Sequence, residues 1–181
     1  MLADLLRALD AAVRRAGARW YLFGAQAAIL HGASRLTADV DATVAWESAD
    51  VGPLLSALRA EGFELRPVPA DFIEHTRVIP LVHQPTQIQT DLVLGGPGLE
   101  ELFLSRAIEK DFEGVRVPVA SAEDLIAMKV LSGRPKDIDD VRALLAANEE
   151  HLDLAHIRKV LGELEQALDR RDLISALDAE L

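Results

Sequence analysis

No cysteine occurs among the 181 residues, so disulfides and thiolate-bound metals are excluded and nothing calls for an oxidising compartment. Aromatic residues are scarce at 4%, which leaves few rings to stack on a base. Basic residues are the minority, 19 Lys+Arg against 30 Asp+Glu, and the net charge of −11 argues against broad adhesion to nucleic acid or an anionic membrane. No uncharged apolar run approaches the roughly 20 residues a membrane helix needs. The opening segment "MLADLLRALDAAVRRAGARW" carries Asp4, Arg7 and Asp10 within its apolar pattern, unlike a secretory signal, so the expected location is the cytoplasm with no membrane partner. Also missing are G-x-x-x-x-G-K-[ST], G-x-G-x-x-G and G-x-S-x-G, which removes P-loop hydrolysis, dinucleotide binding and the common serine hydrolase arrangement. His31, His75, His83, His151 and His156 are scattered without ligand spacing, and no zinc site is expected.

What is present is apolar and periodic. Half the residues are hydrophobic, enough for one substantial core or a core with a small appendage. Leu2, Leu5, Leu6, Leu9, Ala12 and Val13 recur at helical spacing and Gly17 suits a stop, which predicts an amphipathic opening helix. "WYLFG" predicts a short strand, "AQAAILHG" a helix and "DVDATVAW" an alternating strand. "SADVGPLLSALRAEGF" reads as a helix with an early proline and a closing glycine. Strands follow in "RVIPLVH" and "IQTDLVLGG", with Pro80 and Pro85 expected to confine the first to an edge or shorten it. "GLEELFLSRAIEK" predicts helix, and "FEGVRVPVAS" a turn and a strand. From Ser121, a cap with Asp124 at the capping-box position, the pattern is helical to the end, with Pro135 at a first turn. The expected class is α/β (α+β): a mixed sheet flanked by helices over residues 1–120, then a helical subdomain over 121–181.

The chemistry concentrates in "YLFGAQAAILHGASRLTADVDATVAW". Residues i and i+2 of a strand share a face, so Asp39 and Asp41 set two carboxylates roughly 7 Å apart along the chain. The alternation in "IQTDLVLG" puts Gln87, Gln89 and Asp91 on one face, so Asp91 joins that pair if the two strands are neighbours. Three acidic groups on one face make a site for a hard cation such as Mg²⁺, which keeps several waters and accepts substrate phosphates. Gly24, between strand and helix, lets the backbone approach a phosphate. Arg35 is placed to clamp phosphate oxygens or the acidic cluster, and Thr37 to steady the turn.

At these residues the chain resembles the nucleotidyltransferase superfamily built on the DNA polymerase β-type fold. That pattern is a strand, a Gly-Gly or Gly-Ser turn opening a helix, a D-x-D pair and a third carboxylate on a later strand. Over roughly residues 18 to 146 the chain looks like the AbiEii-type group of toxin-antitoxin and abortive-infection systems, carried by "GAQAAILHGASRLTADVDATV", "TDLVLG" and "SAEDLIAMKVLSGRPKDIDDVRALL". The resemblance implies metal-dependent transfer of a nucleoside monophosphate from a nucleoside triphosphate to an acceptor hydroxyl, with pyrophosphate released. It implies Mg²⁺ or Mn²⁺ on Asp39, Asp41 and Asp91, with Asp91 near the incoming hydroxyl. Gly24, Ala25, Arg35, Lys129 and Asp137 would serve the nucleotide, Asp137 by orienting Lys129 or Arg35. Arg134, Lys136, Asp137 and Asp140 match the family's R-x-K-D-x-x-D segment. The implied acceptor is tRNA or a protein, and the implied partner a cognate antitoxin. Two other readings stay open: a small-molecule, antibiotic-inactivating transferase, and a noncatalytic nucleotide-binding module. Gly24-Ala25 departs from the pattern, because no serine hydroxyl is there to meet the terminal phosphate. The available basic clusters are modest: Arg14, Arg15 and Arg19; Arg158 and Lys159; Arg170 and Arg171.

Overall fold

The computed structural model describes every residue of the chain except Arg35. It divides into two compact units, Met1–Gln26 with Thr37–Ala120, and Ala27–Leu36 with Ser121–Leu181. The first unit is built on a seven-stranded mixed sheet. It begins with helix α1 (Leu2–Arg15), whose buried Leu5, Leu6, Leu9, Ala12 and Val13 follow the predicted stripe, and continues into β1 (Trp20–Phe23). Helix α2 (Gly24–Leu30) starts in the first unit and ends in the second. The sheet resumes with β2 (Asp39–Ala45), helix α3 (Gly52–Ala60), β3 (Phe63–Leu65), the short helix α4 (Phe72–Thr76), β4 (Val78–His83) and β5 (Ile88–Gly95). Helix α5 (Leu99–Arg106) and the hairpin β6 (Ile108–Phe112) and β7 (Val115–Val119) complete it.

The strand order is β3-β4-β5-β2-β1-β7-β6. The β2–β5 and β1–β7 pairs are parallel and the other four antiparallel. One face is apolar: Val40, Ala42, Val44, Leu92 and Leu94 are buried, as period-2 alternation requires. Helices α1 and α3 pack on each other, α1 also against β7 and α3 against β3. Full burial of each such Leu or Val contributes about 1.5–3 kcal/mol.

Two local expectations need correcting. The strand β4 is not at an edge, since it pairs with β3 on one side and β5 on the other. Proline is tolerated there because β3 stops at Leu65, opposite Leu81; the Pro80 carbonyl accepts from the Arg66 N–H at 2.9 Å, and the missing Pro80 N–H faces the same way, past the end of β3. Ile108–Lys110, expected to continue a helix, lie in β6 and pair with Val117–Val119 of β7. The segments β3 and α4 had no counterpart in the sequence reading.

The second unit is helical in its C-terminal part: α6 (Ala122–Ser132), α7 (Pro135–Asn148), α8 (Leu154–Leu168) and α9 (Leu173–Asp178). The Ser121 hydroxyl accepts from the Asp124 N–H at 3.2 Å, and Gly133 ends α6 at φ +63°. Within this unit Asn148 Nδ2 donates to the His31 carbonyl at 3.0 Å, and His31 is buried.

Candidate active site

The polar face of the sheet is organised by register. In the parallel β2–β5 pair, Asp39 stands opposite Gln89 and Asp41 directly opposite Asp91. Neighbouring strands lie about 4.8 Å apart, so Asp41 and Asp91 are side by side and Asp39 one pleat away on the same face. Asp39 is exposed, and Asp41 and Asp91 are half-buried. The Asp39 carboxylate accepts from the Thr37 hydroxyl. Further along this face, Thr43 is buried where α5 meets β2.

Gly24 is where β1 meets this row, because Phe23 is the antiparallel partner of Asp41. Its φ is +68°, a conformation that suits glycine. A Cβ there would collide with Asp41 Oδ2 and stand 2.8 Å from Asp41 Cβ. The glycine thus leaves the space that the Asp41 carboxylate occupies, linking the turn to the D-x-D pair by direct contact. Ala25, next to it, is buried at 8% exposure.

The sequence reading missed Arg66. Its guanidinium donates to Gln89 Oε1 at 2.8 Å and to Asp91 Oδ1, while its backbone N–H bonds Pro80. Arg66, Pro80, Asp91 and Asp41 consequently form one cross-strand row over β3's end, β4, β5 and β2. The signal was faint: in "FELR" the period-2 alternation places Glu64 and Arg66 on one face, but nothing local says that β4 carries a proline between Arg66 and Asp91. Arg35, assigned to phosphate or to the acidic cluster, lies outside the described residues.

In the second unit, Lys129 is buried at 5% exposure, its ammonium 2.5 Å from Asp140 Oδ2 and 3.4 Å from Asp137 Oδ1. Asp137 also accepts from the Ser132 hydroxyl at 2.8 Å and from Arg134 Nε at 2.5 Å. Burial alone would push the Asp137 carboxyl up, but hydrogen bonds from Arg134 and Ser132 and the nearby Lys129 charge outweigh it and hold the group below the usual carboxylate value. Asp137 and Asp140 are each one turn apart on α7, which is why both reach the same ammonium.

The first unit's donor set suits a hard divalent cation: carboxylate oxygens on one face, with Asp41 and Asp91 in register and a glycine cradle that a Cβ would fill. Among the described residues no three acidic or histidine side chains are yet gathered around one point, and Asp91 is turned to Arg66.

A mixed sheet with helices, a glycine turn in contact with a D-x-D carboxylate and a third carboxylate across the parallel pair define a nucleotidyltransferase fold. The chain belongs to the family described as nucleotidyltransferase of unknown function (DUF6036), whose model matches residues 2–173. Among solved structures it is similar to the antibiotic-resistance factor ANT(2'')-Ia in solution, at 13% identity and a TM-score of 0.62, over 93% of each chain. It is equally similar to ANT(2'')-Ia crystallised with adenylyl-2''-tobramycin, at 14% identity and a TM-score of 0.62, over 92% of this chain and 98% of that one. An antigenic nucleotidyltransferase-like protein from Paracoccidioides brasiliensis follows at 20% identity and a TM-score of 0.51, over 98% and 89% of the two chains. These likenesses are of fold. No curated protein matches the sequence. No helix among the described residues is long and apolar enough to cross a membrane.

Proposed function

We propose that the chain transfers a nucleoside monophosphate from a nucleoside triphosphate to an acceptor hydroxyl, and that it is an AbiEii-type toxin of a toxin-antitoxin pair acting on tRNA or protein. The observation that carries the transfer reading is the register of Asp39, Asp41 and Asp91 on one sheet face, with Gly24 packed against Asp41. Asp39, Asp41 and Asp91 would hold Mg²⁺ or Mn²⁺, which when bound neutralises the triphosphate and the departing pyrophosphate. Asp91 accepts the proton of the incoming hydroxyl; the acceptor oxygen bonds to the α-phosphorus, the bond from that phosphorus to the bridging oxygen breaks, and pyrophosphate leaves. Gly24 and Ala25 bring backbone to the triphosphate, with Arg35, Lys129 and Asp137 serving the nucleotide. The toxin role rests on the sequence resemblance, and includes a cognate antitoxin as partner and action in the cytoplasm.

A second acceptor reading, a small cationic molecule, is favoured by charge. Besides the net −11, Arg14, Arg15, Arg19, Arg158, Lys159 and Arg170 each sit against a carboxylate, on Asp10, Glu61, Glu101, Asp178, Glu163 and Asp172 respectively. An RNA-binding surface needs such cations for phosphate. The test is transfer from each of the four α-labelled triphosphates, with Mg²⁺ or Mn²⁺, to cellular RNA, protein, aminoglycosides or lincosamides. Label entering one acceptor class and vanishing with Asp41→Asn is expected. Label that persists in Asp41→Asn would overturn the site assignment, and the labelled fraction chooses the acceptor.

A further inference from the structure

We propose that Arg66 is a positioning residue that holds the Asp91 carboxylate across the sheet and competes with a divalent cation for it. This rests on the metal-site reading above.

The geometry is specific to this chain's own residues. Arg66 leaves the end of β3 with its backbone tied to Pro80, and Pro80 is the β4 residue directly opposite Asp91. Two strand spacings, roughly 9.6 Å between backbones, therefore separate Arg66 from Asp91 along a row that crosses a proline. A guanidinium on its three-carbon stem spans that row together with an aspartate side chain. The low, rigid proline ring leaves the path over β4 open. The fork is divided: one terminal nitrogen bonds Gln89 Oε1 and the other Asp91 Oδ1. Gln89 is the partner of Asp39 as Asp91 is of Asp41, so Arg66 grips both β5 positions that face the D-x-D pair. The Arg66 side chain is 30% exposed, and its Nε is buried with no hydrogen-bond partner among the described residues. That orphaned donor marks the guanidinium as held in place by the Asp91 and Gln89 bonds and by packing, at some cost in desolvation.

Two consequences follow for a cation at Asp39 and Asp41. Arg66 occupies the lone pairs on Asp91 Oδ1 that a third ligand would offer. It also brings a fixed positive charge to the cation's neighbourhood. Removing it frees a carboxylate and deletes a repulsion, and a unit charge at such range in a half-solvated setting corresponds to roughly a tenfold change in affinity. Without Arg66, however, Asp91 is no longer aimed.

The experiment is Mn²⁺ titration by calorimetry, without nucleotide, on wild type, Arg66→Ala, Arg66→Lys, Asp91→Asn, the Arg66→Ala/Asp91→Asn pair and Asp41→Asn. Circular dichroism checks each fold, and Arg66→Gln replaces Arg66→Ala if the latter does not fold. Arg66→Ala is expected to bind Mn²⁺ about tenfold tighter, Arg66→Lys to shift affinity by less than about threefold, and the Arg66→Ala gain to fall below about threefold on the Asp91→Asn background. A merely structural Arg66 would not produce that dependence on Asp91. Unchanged or weaker binding by Arg66→Ala overturns the proposal, as does a full gain that persists with Asp91→Asn. If wild type binds Mn²⁺ and Asp41→Asn does not, while Arg66→Ala leaves affinity unchanged, only the role of Arg66 falls. If neither wild type nor Arg66→Ala binds Mn²⁺, the metal-site reading falls and this proposal with it.

Discussion

Gly24 and Gly17 share a backbone conformation but not an environment, and the difference isolates what the turn beside Asp41 requires. Their φ values are +68° and +72°. A Cβ on Gly17 meets nothing within 4 Å, whereas one on Gly24 lands on the Asp41 carboxylate. Gly17→Ala is therefore expected to cost about 1 kcal/mol of backbone strain and leave transfer intact. Gly24→Ala carries the same strain plus a collision that must displace Asp41, and is expected to cost roughly 1–3 kcal/mol more and lower transfer at least tenfold. Urea unfolding and the α-label assay on the two variants check this. Equal behaviour would show that the close approach to Asp41 is immaterial.

At the scale of elements, α6 and α7 meet over a buried ionic cluster, and removing its cation tests how far it holds them. Lys129→Met leaves Asp137 and Asp140 buried without their shared ammonium, for an expected loss of about 3–5 kcal/mol. Ser121→Ala, which removes the α6 cap, is expected to cost only about 1 kcal/mol. Urea midpoints rank the two, and a Lys129→Met loss no larger than that of the cap would refute a load carried by the ion cluster. The cap was legible in the sequence because its hydrogen bond spans three residues, as was the α1 stripe, whose period is set by the helix itself. The shared face of Asp39, Asp41 and Thr43 was legible for the same reason, since alternation holds in any strand. Legibility ended where pairing is long-range. The partner of Asp41 depends on β5 docking parallel to β2, some 50 residues later, and Arg66 reaches Asp91 across an intervening strand. Pro80 misled because its missing donor matters only where a neighbouring strand would use it, and β3 is too short to do so. The β6–β7 turn at Glu113-Gly114, with both residues at positive φ, allowed Ile108–Lys110 to fold back as a strand where "SRAIEK" alone reads as helix.

For the whole molecule, acid should act in two separate steps, because two buried groups whose pKa values are shifted, His83 and Asp137, titrate in different ranges. His83 is buried at 3% exposure with its ring 4.7 Å from that of Phe63, and burial holds its imidazole below the ordinary value near 6.5. A depressed histidine means that the unfolded chain takes up a proton near pH 6.5 that the folded protein refuses. Stability is then complete above that pH and declines as the pH falls below it, until the folded group also protonates. Asp137 is depressed from the ordinary value near 3.8, so its contribution is complete above about pH 4 and is lost as the pH falls further through its folded value. Urea midpoints measured from pH 8 to pH 3 are expected to show a first decline beginning near pH 6.5 and a second below pH 4. His83→Asn should remove the first slope while leaving the second, and Asp137→Asn the reverse. The declines should survive 0.5 M salt better than effects of the −11 net charge, because both groups are buried and surface repulsion is screened within a few ångströms at that ionic strength. A flat profile between pH 7 and pH 5 in wild type would refute the burial effect on His83, and a first decline that persists in His83→Asn would assign it to another group.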